Sequence, residues 1–266
     1  MNTSNLPRLP VQLHVAIGAI TLLMAIPTLA TAESIEGVLE QSGSYSALFT
    51  ASPESGDLVG YPFKNNSPVG KTILANCLPG LVCKVGKAST REMQDPSALK
   101  FNDQPMGWME ITRATGAQMV SAISQYEKSV KTRYGTLAVG ANNVSLQFNG
   151  KPVLPSVEGN NSLSIVANYE LGKNNVLLVQ NTGGTACPAQ YTFVTINATG
   201  VRATPEFGTC SDIIRATSDL KSSVTVVMVN FSGPFEPAAD RKKAEMTKSV
   251  FKVLDGALSS NGRVIK

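Results

Sequence analysis

Short apolar runs rich in β-branched residues recur after Thr136, and a turn signal ends each one. Residues 144–148 are followed by Asn149-Gly150 and then 152–154, the pattern of a two-residue hairpin. Residues 163–169 and 176–180 flank Gly172-Lys-Asn-Asn175, and 191–196 and 201–204 flank Asn197-Ala-Thr-Gly200. Residues 224–231 form a long β-branched run, and 249–254 and 263–265 complete the series. Many short strands at this spacing predict an antiparallel β-sandwich or open barrel over 136–266. Between them, the charged stretch 237–247 reads as a short surface helix. Its Arg241-Lys242-Lys243 cluster, flanked by Asp240 and Glu245, reads as a solvated face.

Residues 33–113 show the same punctuation on a smaller scale. Strands are expected at 34–40, 45–50, 57–63, 82–88 and 108–113. Asn66-Ser67 followed by Pro68 is a helix start, with Val69, Thr72 and Ile73 on one face. Short strands with one helix suggest a small barrel of OB or SH3 type. The fold class expected for the whole chain is therefore mainly β: a small OB/SH3-like barrel, a linking helix, then the antiparallel domain.

The linking helix is expected over 114–135. Met119, Ile123, Tyr126, Val130 and Tyr134 recur at steps of three and four. Glu127 and Lys131 form an i,i+4 pair, basic residues crowd the C-terminal end, and Gly135 is a natural stop.

The N-terminal stretch reads as an export signal, residues 1–32. Arg8 precedes an apolar run over 15–26, Pro27 breaks it, and Ala30-Thr31-Ala32 is a small-x-small cleavage site. The expected mature chain starts at Glu33 and has no membrane anchor. The sole histidine, His14, lies inside that leader. A mature chain without imidazole cannot run a Ser-His-Asp or Cys-His mechanism and offers no imidazole to a metal.

Four cysteines in an exported chain point to disulfides. Three connectivities are possible. Proximity and flanking turn signals favour Cys77–Cys83 and Cys187–Cys210. A four-cysteine metal site is the rival, and it lacks CxxC spacing.

The remaining chemistry is sparse. A formal charge of +4 is too small for a nucleic-acid-binding domain. Asn181-Thr-Gly-Gly-Thr-Ala-Cys187 is Gly-rich and follows a strand, but a phosphate-cradling loop would need a helix after it. It reads as a turn. Ser97–Lys100, Ser218–Lys221 and Ser249–Lys252 have SxxK spacing without the companion motifs of that chemistry. Glu206, Asp212 and Glu236 could supply a two-carboxylate hydrolase, which needs no histidine.

Two stretches carry a family resemblance. One runs through Gly56-Asp-Leu-Val-Gly-Tyr-Pro-Phe63, Gly70-Lys-Thr-Ile-Leu-Ala-Asn-Cys77 and Val82-Cys83. The other runs through Gly159-Asn-Asn-Ser-Leu-Ser164, Val176-Leu-Leu-Val-Gln-Asn181, Gly183-Gly-Thr-Ala-Cys-Pro188, Thr204-Pro-Glu-Phe-Gly-Thr-Cys-Ser-Asp212 and Gly233-Pro-Phe-Glu236. Together they resemble an uncharacterised family of exported proteins of Gram-negative bacteria. The resemblance implies the periplasm and brings no activity or catalytic residue with it. The disulfide-closed turn at Cys77–Cys83 also resembles, in outline, a loop that periplasmic lysozyme inhibitors present, although Leu-Pro-Gly-Leu-Val carries no charge.

The sequence thus leads to a non-catalytic periplasmic binding or inhibitor module with no cofactor and no metal. Its expected partner is a protein of the cell envelope, for example a wall-active enzyme or toxin. The alternatives are the carboxylate hydrolase and an envelope assembly factor. The candidate binding loops are Leu78, Pro79, Gly80 and Leu81 within one disulfide, and Thr182, Gly183, Gly184, Glu206 and Phe207 beside the other.

Overall fold

The computed structural model describes residues 30–52 and 55–265. Most of the expected leader lies outside the described residues. Its last three, 30–32, begin the first strand.

The first six strands form one sheet: β1 (Ala30–Ser42), β2 (Tyr45–Ala51), β3 (Leu58–Lys64), β4 (Val82–Glu92), β5 (Gly107–Arg113) and β6 (Gly116–Val120). Their order is β1-β2-β3-β5-β4-β6, and a further β1–β4 pairing closes the first five into a barrel. β3 and β5 run parallel, and every other pairing in the barrel is antiparallel. The helix α1 (Pro68–Leu74) lies between β3 and β4 in the chain. Five strands with one helix at this place make the barrel OB-type.

α1 begins as its sequence dictates. The Ser67 hydroxyl accepts from the Gly70 amide at 3.0 Å, and Pro68 occupies the first turn. Val69 and Ile73 plug the barrel interior beside Ile35, Leu39, Leu48, Phe63 and Val85. Gly70 is fixed by close approach, since a Cβ there would sit 2.2 Å from the Lys64 carbonyl oxygen. Cys77 and Cys83 are bonded to each other and buried in the same core.

The expected helix over 114–135 does not form. Residues 116–120 are β6, paired with β4 from Val82↔Val120 to Gly86↔Gly116, and residues 129–132 begin the next sheet. The stripe that reads as one helical face is divided among three cores and the surface, where Tyr126 is exposed. Met119 packs on the barrel core, Ile123 on a second core, and Val130 and Tyr134 on a third. Long-range strand pairing and burial at three sites outweigh a local period of 3.6.

The rest of the chain builds three sheets. The first is a meander of β7 (Ser129–Thr132), β8 (Gly135–Val139), β9 (Leu146–Phe148) and β10 (Lys151–Pro152). The second holds β11 (Ser162–Leu171), β12 (Asn174–Thr182), β13 (Ala189–Asn197) and β14 (Gly200–Ala203), with β15 (Phe207–Cys210) also on β13. The third is a meander of β16 (Ile214–Ser218), β17 (Ser223–Val229), β18 (Lys248–Leu254), β19 (Ala257–Ser260) and β20 (Arg263–Val264). The helix α2 (Ala238–Glu245) lies between β17 and β18, on the stretch where a surface helix is expected.

The second sheet is the middle layer of a three-layer sandwich. Leu177, Val179, Val194 and Ile196 face the β7–β10 meander and meet Leu137, Leu146 and Val153. Val176, Leu178, Tyr191 and Phe193 face the β16–β20 meander and meet Ile214, Val226, Met228 and Phe251. A strand covered on both faces needs no polar alternation, and residues 175–180 of β12 are all buried. In β11 a bulge between Ile165 and Ala167 switches faces. Leu163 and Ile165 belong to one core, and Leu171 to the other.

The outer sheets are fastened by polar contacts as well. Glu127 and Ile165 exchange both backbone hydrogen bonds, and the Tyr134 hydroxyl donates to the Lys173 carbonyl at 2.6 Å. At the β16–β17 turn the Asp219 carboxylate accepts from the amides of Lys221, Ser222 and Ser223. Those bonds hold its carboxyl well below the usual carboxylate range.

Cys187–Cys210 ties the turn after β12 to the end of β15, across a sequence separation of 23. A loop of that length removes unfolded-state freedom of about 3 kcal/mol. Replacing both cysteines by Ala in the 33–266 chain is expected to lower the melting temperature by roughly 6–12 °C, at about 2–4 °C per kcal/mol for this chain size. A shift below about 2 °C would show that the bridge does not hold the sandwich.

Candidate functional site

The outer face of the barrel across β2, β3, β5 and β4 is set by strand alternation. Phe63 and Ile111 point into the core, so Gly60, Pro62 and Lys64 on β3 and Trp108, Glu110 and Thr112 on β5 point outward. Phe49 and Tyr45 on β2 and Arg91 on β4 extend the same face. The pairings Phe49↔Gly60, Gly60↔Trp108, Tyr45↔Lys64 and Arg91↔Glu110 fix the rows.

One half of this face is covered by the chain itself. The segment 93–106 between β4 and β5 folds back over it. Phe101 packs edge-on against Phe49 with ring centroids 5.4 Å apart and lies 5.7 Å from Trp108. The Ser42 hydroxyl donates to the Lys100 carbonyl at 2.5 Å, and the Met93 and Met106 amides bond to Trp108 and Leu58. Phe49 and Phe101 are consequently buried. Gly60 makes this possible, since a Cβ there would lie 2.5 Å from the Trp108 ring.

The other half is open. A groove of about 600 Å³ is lined by Tyr45, Lys64, Arg91, Met93, Asp95 and Glu110 among others. A smaller hollow of about 250 Å³ continues past Lys64, Arg91 and Glu110 to Ser67 and Thr112. Arg91 Nε and an Nη both donate to one oxygen of Glu110, at 2.8 and 2.6 Å. Hydrogen bonds from the Ser97 hydroxyl and amide hold the Asp95 carboxyl below its usual range. The groove offers charges of both signs and an aromatic ring on a rigid sheet.

The loops expected from sequence fall elsewhere. Cys77–Cys83 does not present a free loop. Leu81 is buried, the Gly80 amide donates to Leu39 and the Leu39 amide to Leu81. The Pro79 carbonyl accepts from Lys248 Nζ of the sandwich at 2.9 Å. Leu78, Pro79 and Gly80 are half-buried, and the loop serves as a joint between barrel and sandwich. Phe207 is also buried, stacked on Phe193 at 5.0 Å, because its side chain completes the core under β15. Leu81 and Phe207 are therefore core residues.

Thr182 ends β12, and Gly183 opens a turn closed by bonds from Gly183 to Pro188 and from Cys187 to Gly184. A Cβ at Gly183 would overlap the Cys187 carbonyl oxygen. β13 follows, so the Gly-rich stretch is a turn between strands. Glu206 is exposed and accepts from Asn181 Nδ2 at 2.6 Å. Asp212 and Glu236 are exposed as well. A general-acid carboxyl is raised by burial in a low-dielectric cleft, and none of these three is so placed.

Sequence reasoning passed over Tyr45, Lys64, Arg91, Glu110 and Trp108. The available signal was the alternation in residues 58–64 and 107–113, where every second residue faces outward. Two disulfides fit an oxidising, extracytoplasmic compartment. Among the described residues no helix is long and apolar enough to cross a membrane. Neither a family model nor a curated protein matches the chain.

Gly60→Ala tests the covered half. The added methyl must displace Trp108, the sole tryptophan. The variant is expected to lose about 1–3 kcal/mol of stability and to shift tryptophan emission to the red as the segment 93–106 lifts. Unchanged emission and melting temperature would contradict this packing.

Proposed function

We propose that the protein is a non-catalytic binding module of the bacterial periplasm. It is exported by cleavage after Ala32, and it holds a protein of the cell envelope, such as a wall-active enzyme or toxin, on the open half of the barrel face. One observation carries this reading: the groove over Tyr45, Lys64, Arg91 and Glu110 lies on a closed barrel and mixes both signs of charge with an aromatic ring. Such a face needs little ordering when a partner docks, and charge complementarity selects among partners. In OB-type barrels the β2–β3 surface and the adjacent loops are where ligands bind. The absence of histidine beyond residue 14 and the resemblance to exported Gram-negative proteins support the same reading.

The test is affinity capture from periplasmic extract with residues 33–266 as bait, beside a Lys64→Glu/Arg91→Glu double variant. The expected result is a partner retained by the wild type and lost by the variant, with both baits melting alike. A partner retained equally by both, or turnover of a wall polymer by the bait alone, would contradict the proposal.

A further inference from the structure

The end of the sandwich away from the barrel gathers one hairpin turn from each of its three layers. The β11–β12 turn, Gly172-Lys173, stands in the middle. On one side Arg133 of the β7–β8 turn donates from one Nη to the carbonyls of Gly172 and Asn174, at 2.9 and 3.4 Å, and the Tyr134 hydroxyl bonds to Lys173. On the other side lies the β16–β17 turn, where a Cβ on Gly172 would meet the Lys221 carbonyl oxygen at 3.9 Å. The barrel is fastened at the opposite end of the outer sheet, where the Ala122 amide bonds to Ile214 and Lys248 Nζ to Pro79. Ile214 and Lys248 pair with Met228 and Val229, at the end of β17 remote from residues 219–222.

This end is basic. Arg133, Lys173 and Lys221, one from each layer, are all exposed, and none forms an ion pair among the described residues. Lys131, exposed on β7, adds a fourth cation. The carboxylates on the same turns and strand ends are Glu170 and Asp219, and Asp219 is occupied by the amides of its own turn. Further along, Arg202 and Asp255 line one hollow and balance each other. Stacked sheets lie about 10 Å apart, so three layers spread the cations over roughly 20 Å. That is the spacing of a charged surface rather than of a pocket for one small anion.

The β16–β17 turn also carries an apolar tip. Leu220 is 81% exposed and has a φ of 60°, in the left-handed region. Glycine or asparagine takes that backbone more readily than leucine does. The turn is nevertheless tightly fixed. The Leu220 amide donates to Ser218 Oγ at 2.8 Å, and the amides of the next three residues donate to Asp219 Oδ1. Packing within the chain does not offset the strain at so exposed a leucine, and such an outlier points to a use outside the molecule. Leu254, 44% exposed, pairs with Ser223 at the foot of the same turn and widens the apolar patch.

We propose that this end of the sandwich docks on the surface of an anionic phospholipid bilayer. Arg133, Lys173 and Lys221 meet the phosphate headgroups, and Leu220 enters the boundary between headgroups and acyl chains. An apolar tip within a basic rim suits a bilayer, which takes up both, better than a soluble polyanion, which offers nothing to the leucine. The contact is peripheral and reversible and requires no spanning segment. It lies away from the barrel face and does not depend on the reading given to that face.

The experiment measures co-sedimentation of residues 33–266 with vesicles of phosphatidylcholine, with and without an equal share of phosphatidylglycerol. Binding is expected only where phosphatidylglycerol is present, and it weakens as salt is raised. Lys173→Gln/Lys221→Gln is expected to weaken it about twentyfold, at about fivefold per charge. Lys64→Gln/Arg91→Gln makes the same change of charge on the barrel face and is expected to bind vesicles as the wild type does. Leu220→Asn is expected to weaken binding about tenfold, with the melting temperature unchanged or raised because asparagine tolerates the left-handed backbone. The proposal is overturned if phosphatidylcholine alone binds as well, or if nothing is bound at about 1 mM accessible lipid. It is equally overturned if the barrel-face variant loses as much binding as the sandwich variant. Leu220→Asn binding as the wild type does would overturn the bilayer and leave a soluble polyanion as the fitting partner.

Discussion

The central strand β12 of the sandwich's middle sheet has no face left for water over residues 175–180, and the rest of the second half is arranged around that constraint. Residues 175–180 of β12 are buried without a break, so each neighbouring side chain must enter one of two cores. Leu177 and Val179 enter one, and Val176 and Leu178 the other. Two meanders are needed to cover the two faces, and neither has a buried face of its own without this sheet. Truncating a large side chain at such a strand costs about 2–5 kcal/mol, a large share of a stability of about 5–15 kcal/mol. The bulge in β11 lets one strand serve both cores along its length. Cys187–Cys210 then pins the turn after β12 to β15, on the same sheet.

The barrel solves a different problem. Five strands closed on themselves have one core inside and one face that is partly bare. The segment 93–106 covers the apolar half of that face with Phe101 and leaves the charged half open. The division follows the strand residues themselves: Phe49, Gly60 and Trp108 in one row, Tyr45 and Lys64 four residues along. The interface with the sandwich uses Lys248 on the Pro79 carbonyl and the Ala122 amide on the Ile214 carbonyl. Glu40 of the barrel is pushed upward by burial and by Asp103, against the opposing pull of Arg215 from β16.

Much of this was legible in the sequence where the signal is local. The Ser67-Pro68 start of α1, the Asn149-Gly150 hairpin and both disulfide pairings depend on neighbours a few residues away, or on turns that bring near residues together. What failed was non-local. Met119, Ile123, Val130 and Tyr134 share a period of nearly four because three cores happen to receive them in turn, and no window of sequence distinguishes that from one helical stripe. Phe207 sits among Pro, Glu and Gly, so it reads as a loop residue; its burial comes from Phe193 and Phe251, which lie far away in the chain. The binding face was missed for the same reason. Tyr45, Lys64, Arg91 and Glu110 meet only because β3 and β5 are brought side by side in parallel, a pairing that joins residues about 48 apart and leaves no local mark.

Native-state hydrogen exchange on the 33–266 chain tests the two-faced middle sheet most directly. The slowest amides are expected in β12 and β13, over 176–180 and 191–196, exchanging only when the whole sandwich opens. Amides of β8 and β19 in the two covering meanders are expected to exchange sooner, each by opening of its own layer. Amides of β8 or β19 that outlast those of β12 would contradict the account, because the covering layers would then be stable without the sheet they cover.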